Sequence, residues 1–232
     1  KTIKGVGWSA ADALLGQGVT FIVGLVLARL LSPDEYGLIG ICLIFTTVLN
    51  GIVDSGFSNA LIRKKEVTDE DYNTMFTTNM AISIVLYVLL FISAPLVSDF
   101  FHRIELTALV RVTGLILFLN ALSITQVTIL TKNIDFKTKT KASLVSAIIS
   151  GVIGIAMAFM GYGVWSLVAQ QLSKQLLYTL CLWVLNKWWP KFTFYNDSFK
   201  YMWGFGWKLL ASGILNNVWN QLYQVVIGRC YT

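Results

Sequence analysis

Charge is what this sequence has least of. Only 13% of its 232 residues are Asp, Glu, Lys or Arg, about half the share usual in a soluble domain. That deficit excludes an ordinary water-soluble fold and points to lipid as the solvent. Histidine occurs once, as His102 beside Arg103 in a short predicted loop, where it reads as a solvated residue. The three cysteines, Cys42, Cys181 and Cys230, fall inside apolar runs without paired spacing, which argues against both a disulfide framework and a zinc site. No serine or cysteine stands beside a base and there is no glycine-rich phosphate loop. The chain therefore does not read as an enzyme, and no cofactor or metal is implied. The first apolar run is too long for the h-region of a cleavable signal peptide and lacks a small-residue cleavage site.

What replaces charge is hydrophobicity, with 56% apolar residues and a mean hydropathy of +0.67. A helix needs about 20 mainly apolar residues to cross the roughly 30 Å hydrocarbon layer of a bilayer. Seven such runs follow one another, at about 8–31, 36–60, 75–100, 106–131, 142–162, 164–186 and 204–228. They are too long for barrel strands, and backbone amides in hydrocarbon must be bonded internally, so the fold class is all-α, a polytopic helical membrane protein. The expected organisation is a six-helix lobe over 1–186, an amphipathic cytoplasmic-side linker over 187–203, and the first helix of a second lobe over 204–232. Because it starts at Lys1 and stops just after the seventh run, the chain reads as a fragment without most of that second lobe.

A net charge of +6 could suggest nucleic acid, but the basic residues sit in short segments between apolar runs and make no basic face, so no nucleic-acid partner is implied. Their placement is a topology signal. Lys1, Lys4, Arg63, Lys64, Lys65, Lys132, Lys137, Lys139, Lys141, Lys187, Lys191 and Lys200 fall on one side of the predicted spans, and only Arg29, Arg103 and Arg229 on the other. Short loops rich in Lys and Arg stay in the cytoplasm, so the N-terminus is expected inside. The opposite loops, near 32–35, 98–105 and 161–163, are very short.

Aromatic residues gather before the seventh run, at Trp188, Trp189, Phe192, Phe194, Tyr195, Phe199, Tyr201 and Trp203, as an interfacial belt along the headgroups would have them. A trace of repetition is also present. Gly5-Val6-Gly7-Trp8 opens the first span and Gly204-Phe205-Gly206-Trp207 the seventh, with Arg29 and Arg229 closing them. Six spans separate the two, so the repeats would be parallel.

A charge near a helix centre costs about 2.5–3.5 kcal/mol on insertion scales, which makes ionisable residues within spans functional candidates. Lys174 lies midway along the sixth span, and at near 100° per residue it shares an arc of about 140° with Gln170, Gln171, Gln175 and Tyr178. The seventh span has a broad polar face, Ser212, Asn216, Asn217, Asn220, Gln221, Tyr223 and Gln224, with Lys208 near its inner end. In the first span Ser9, Asp12, Gly16, Gln17, Thr20 and Gly24 share one sector. Three such helices suit a hydrated cavity in which amides and hydroxyls bind sugar hydroxyls and cations bind phosphate. Interhelical hydrogen bonding is the competing account. Lys174, Lys208, Arg111, Gln171, Gln175, Asn216 and Asn220 are the candidate cavity residues and Asp12 the candidate ion-coupling carboxylate. Asp54 reads instead as helix-end charge, and Arg111 either snorkels outward or binds phosphate.

Leu27-Ala28-Arg29-Leu30-Leu31-Ser32-Pro33-Asp34-Glu35-Tyr36-Gly37-Leu38, followed by Asp54-Ser55-Gly56-Phe57-Ser58-Asn59-Ala60-Leu61-Ile62-Arg63, resembles the opening of Wzx-like polysaccharide flippases. These exporters of O-antigen and exopolysaccharide units share a superfamily with multidrug exporters and the peptidoglycan-lipid flippase. The resemblance implies two six-helix lobes in a V, alternating access, and an undecaprenyl-diphosphate-linked oligosaccharide as substrate. It also implies membrane lipids, a polysaccharide polymerase and glycosyltransferases as neighbours. In the peptidoglycan-lipid flippases essential arginines match Val23, Leu49 and Asn50, which are uncharged here, so the cations that bind diphosphate must differ.

Two other classes compete with a flippase. A multidrug exporter of the same superfamily needs acidic residues for cationic drugs, whereas the deepest charge here is a lysine. A membrane glycosyltransferase or polymerase needs acidic residues on a large outer loop, and the outer loops here are short.

Overall fold

The computed structural model describes residues 16–54 and 56–230, with side chains up to Leu215 except that of Ile214. Its helices, in chain order, are α1 (Gln17–Leu30), α2 (Pro33–Asp54), α3 (Phe57–Arg63), α4 (Asp69–Phe101), α5 (Glu105–Thr113), α6 (Ile116–Lys132), α7 (Phe136–Phe159), α8 (Val164–Leu185) and α9 (Asn196–Cys230). There is no strand among the described residues. The all-α membrane class read from the sequence holds, and the described part of each predicted span falls on a helix or a pair of them.

Four stretches, Pro33–Arg63, Asp69–Phe101, Glu105–Lys132 and Phe136–Phe159, are long and apolar enough to cross a membrane by length and composition. At 33 residues α4 is about 50 Å long, more than the hydrocarbon layer, so its ends extend past it. Large apolar side chains such as Ile84, Val85, Val88, Leu89, Ile92 and Leu96 are exposed along it, which is the surface a helix presents to lipid.

Two predicted spans are interrupted. Between α2 and α3 Gly56 takes φ +70°, and a Cβ there would lie 2.8 Å from the Gly206 carbonyl oxygen and 2.9 Å from Leu209 Cβ. Only glycine meets both demands. Between α5 and α6 the hydrogen bonds tighten to an i+3 pattern, with Leu117 N–H on Gly114 O at 3.0 Å and Phe118 N–H on Leu115 O at 3.2 Å. The Thr113 hydroxyl donates to Leu109 O at 2.7 Å, a back-bond that bends helices.

Contacts group the chain into two compact units. The first comprises Lys1–Ile39 and Ile129–Trp188. In it α7 packs against both α1 and α8 through buried small residues, Ala147, Ser150, Gly151, Gly154 and Ala158. Small residues let helix backbones approach where lipid supplies no hydrophobic drive. A Cβ on Gly154 would sit 2.7 Å from Gln170 Cβ on α8. The α1–α2 turn is a capping box: Glu35 Oε2 accepts from Ser32 N–H at 2.7 Å and from the Ser32 hydroxyl at 2.9 Å, while Pro33 opens α2.

The second unit comprises Gly40–Thr128 and Trp189–Thr232. Here Thr68 and Asp71 form the capping box of α4, and Lys64 Nζ reaches both Asp71 oxygens. The segment before α9 is tied to the first turns of α4. Lys191 N–H donates to Asn73 Oδ1 at 2.8 Å, Tyr195 N–H to Thr74 Oγ1 at 3.1 Å, and the Thr77 hydroxyl to Thr193 O at 3.2 Å. Helix α9 then starts at Asn196, eight residues before the predicted seventh span. Its first turns pack on α3: Phe199 and Trp203 lie 6.1 and 6.4 Å from the Phe57 ring, and the Arg63 guanidinium stands 4.9 Å from the Phe205 ring. These rings serve packing within the second unit.

Candidate functional site

The polar sector of α8 lies in the first unit. Lys174 is at mid-helix and half-buried, as are Gln170, Gln171 and Gln175 on the same side. Its Nζ lies 3.3 Å from Thr20 Oγ1 on α1. The Thr20 hydroxyl gives its own proton to Gly16 O at 2.9 Å, so the oxygen turned toward the ammonium acts as acceptor. Lys174 has no acidic partner among the described residues. Hydroxyl and ammonium are therefore joined by one long neutral-acceptor hydrogen bond, and the positive charge keeps unused donors.

The other candidates are placed differently. Arg111, in the second unit, lies flat on Phe91 of α4 with its guanidinium carbon 4.2 Å from the ring centre, and its Nε donates to Phe91 O at 3.4 Å. Cation–π contact and a backbone acceptor thus hold it against its own bundle. Lys208 stands 6.0 Å from the Trp207 ring on exposed surface of α9. Asp12 lies outside the described residues, as do the side chains of Asn216 and Asn220. The structure thus brings Lys174 to Thr20, with Gln171 and Gln175 on the same side of α8, and gives Arg111 and Lys208 partners of their own.

Several polar contacts escaped the sequence reading. Asn120 Nδ2 donates to Asn50 Oδ1 at 2.9 Å, joining α6 to α2 inside the second unit. Asp54 accepts from the Ser58 hydroxyl across the α2–α3 break. The signal for the first pair was an asparagine deep in each of two apolar runs. A cavity of about 410 Å³ between α2 and α4 is lined by Ile44, Phe45, Ser93, Leu96, Val97, Phe100 and Phe101, and its apolar walls offer nothing to a sugar or a phosphate.

With that geometry in hand, comparison with known proteins is decisive on one point. Residues 26–232 match the polysaccharide biosynthesis protein family. The chain belongs to this family. It is 27% identical over 230 residues to the succinoglycan biosynthesis transport protein ExoT of Rhizobium meliloti, covering 99% of the chain and 47% of ExoT. It is 28% identical over 234 residues to the teichuronic acid biosynthesis protein TuaB of Bacillus subtilis, covering 98% and 47%. The lipopolysaccharide biosynthesis protein WzxC of Escherichia coli is 28% identical over 115 residues, 50% of the chain and 23% of WzxC. The resemblance carried by the Leu27–Leu38 and Asp54–Arg63 motifs is thus met by a family match and by a Wzx relative. The chain spans about half the length of ExoT and TuaB. No solved structure matches it.

Within this family's sequence the first motif has a structural reading. Ser32, Pro33 and Glu35 build the capping box of α2, and the Tyr36 hydroxyl reaches back to Gly24 O at 3.4 Å. Gly163, at φ +55°, lies so close to the Glu35 carboxylate that any Cβ would collide with it.

Proposed function

We propose that the protein is a flippase that carries an undecaprenyl-diphosphate-linked oligosaccharide from the inner to the outer leaflet of the cytoplasmic membrane. The observation that carries this reading is Lys174, a half-buried mid-helix ammonium whose one described partner is a neutral hydroxyl and which is flanked by amide side chains. A cation in an apolar span with no carboxylate partner among the described residues is suited to an anionic ligand that comes and goes, and diphosphate is such a ligand. Gln171 and Gln175 supply amides for sugar hydroxyls beside it. Family membership and the name of WzxC agree with a part in polysaccharide biosynthesis, and the name of ExoT with transport.

On this reading residues 1–186 form the first lobe, 187–203 the cytoplasmic-side link, and 204–232 the opening helix of a second lobe, with the N-terminus inside. The further candidates on this reading are Lys208, Arg111, Asn216 and Asn220 for the substrate and Asp12 for the driving ion. Transport proceeds by alternating access, next to the polymerase and glycosyltransferases that use the same lipid carrier.

The test measures the lipid-linked oligosaccharide and the surface polysaccharide in native cells with and without the full-length gene. Accumulation of unpolymerised intermediate in the inner leaflet, with loss of surface product, is the expected result. Unchanged intermediates with altered tolerance to cationic drugs would overturn it in favour of a multidrug exporter.

A further inference from the structure

Two side chains in the second unit are fully buried with polar atoms that no described group meets. Asn79 on α4 has 0% exposure and neither Nδ2 nor Oδ1 is partnered; Thr125 on α6 also has 0% exposure and its Oγ1 is unpartnered. In an apolar setting each such group is costly, and native interiors rarely leave them so.

Counted from the contacts between the two helices, these residues fall at the same level of the antiparallel pair. Leu90 Cδ2 and Tyr87 Cδ2 crowd the position of a Gly114 Cβ, at 2.9 and 3.2 Å, and the rings of Tyr87 and Phe118 lie 4.9 Å apart. Asn79 precedes Leu90 by eleven residues and Thr125 follows Gly114 by eleven, while the chains run in opposite directions. Eleven residues are three turns and about 16 Å, with about 20° of rotation, so Asn79 faces as Leu90 does. Thr125 follows Phe118 by seven residues, two turns within the unbroken part of α6, and shares its facing.

The geometry points to a shared internal water site between α4 and α6, held by Asn79 and Thr125. The donor and acceptor inventory selects water. Asn79 presents a donor and an acceptor at once and the threonine hydroxyl can serve as either. A cation would leave Nδ2 without an acceptor and brings a charge that no described carboxylate at this level balances; an anion would leave Oδ1 facing a like partner. A neutral molecule with two donors and two lone pairs satisfies all three atoms, and a polar recess with several convergent partners is where buried waters reside.

The test is a double-mutant cycle on the full-length protein in lipid nanodiscs, using Asn79→Leu and Thr125→Val, which keep the branched shape and remove polarity. If one water serves both residues, each single variant lowers Tm on the order of 2–4 °C and the double variant falls no further than the worse single. Additive losses, or a Tm raised by Asn79→Leu, overturn the proposal, since an amide that is simply unpaired gains from replacement. Should Asn79→Leu fail to fold, the second measurement is a density map good enough to show waters elsewhere in the protein. A peak within hydrogen-bond reach of both Asn79 and Thr125 supports the site, and its absence overturns it.

Discussion

Lys64 and Asp71 form a two-pronged ion pair across the α3–α4 turn, with Nζ 2.8 Å from Oδ1 and 2.7 Å from Oδ2, and the aspartate side chain is only 1% exposed. The same carboxylate accepts from Thr68 N–H at 3.0 Å, so one buried group closes the turn and caps α4. The lysine also stands 5.0 Å from the Tyr201 ring of α9. Three elements of the second unit therefore meet on one charge pair.

Removing either partner should be costly and unequal in origin. Asp71→Ala deletes the cap as well as the pair, while Lys64→Ala strands a buried carboxylate. Each is expected to lower stability by about 2–4 kcal/mol, with a coupling energy above the ~1 kcal/mol ceiling of exposed pairs. Unfolding of the full-length variants in detergent, arranged as a double-mutant cycle, reads that coupling directly. A coupling near zero would show that the pair is ornamental.

Gly56 gives a sharper prediction because two independent constraints fall on one residue. Its φ of +70° disfavours any L side chain, and its missing Cβ is where Gly206 O and Leu209 come to rest. Gly56→Ala should cost about 1–3 kcal/mol from backbone strain, with displacement of α9 added to it. Gly161, also left-handed at φ +80° but with open space around it, is the control: Gly161→Ala should carry the strain alone and cost less. Thermal stability of the two variants compares them under one assay.

The contrast between these glycines and the apolar runs explains what was legible in the sequence. Lipid fixes helix length and forbids unpaired backbone, so the helical membrane class follows from composition. Hydropathy averaged over a window of about 19 residues cannot register a single glycine, and so 36–60 and 106–131 were read as unbroken spans although Gly56 and Gly114 interrupt them. Lys174 stood out because a lysine is conspicuous in an apolar run. Its partner did not, since Thr20 is 154 residues away and is brought there by packing through α7, whose Gly151 and Gly154 admit Val23 and Gln170. The Lys64–Asp71 pair joins two helices across a turn, so no periodicity within one helix links its partners.

Asn50 and Asn120 test whether polar pairs within the second unit act as interhelical glue. Their bond at 2.9 Å joins α2 to α6, and such bonds in membrane bundles are worth about 0.6 kcal/mol on average. Asn120→Leu alone should cost more than that, because it leaves the Asn50 amide without its partner. Adding Asn50→Leu should return part of the loss. Stability of the single and double variants decides it, and a double variant worse than either single would assign the two amides separate roles.

Lys174 separates a functional charge from a structural one. Its one long contact among the described residues, with Thr20, contributes little to folding, since the acceptor is neutral and the ammonium half-buried. Lys174→Ala should therefore leave the amount of folded protein in the membrane near that of the parent while lowering export of lipid-linked oligosaccharide by at least about tenfold, as expected when a charge-assisted contact to phosphate is lost. Lys174→Arg keeps the charge and should retain a larger part of the activity; Thr20→Val removes only the hydroxyl and should have a small effect. Surface polysaccharide measured against membrane protein level orders the four proteins. If Thr20→Val were as damaging as Lys174→Ala, the hydrogen bond between α1 and α8 would be what export requires, and Lys174 would be a positioning residue with no direct part in holding the anion.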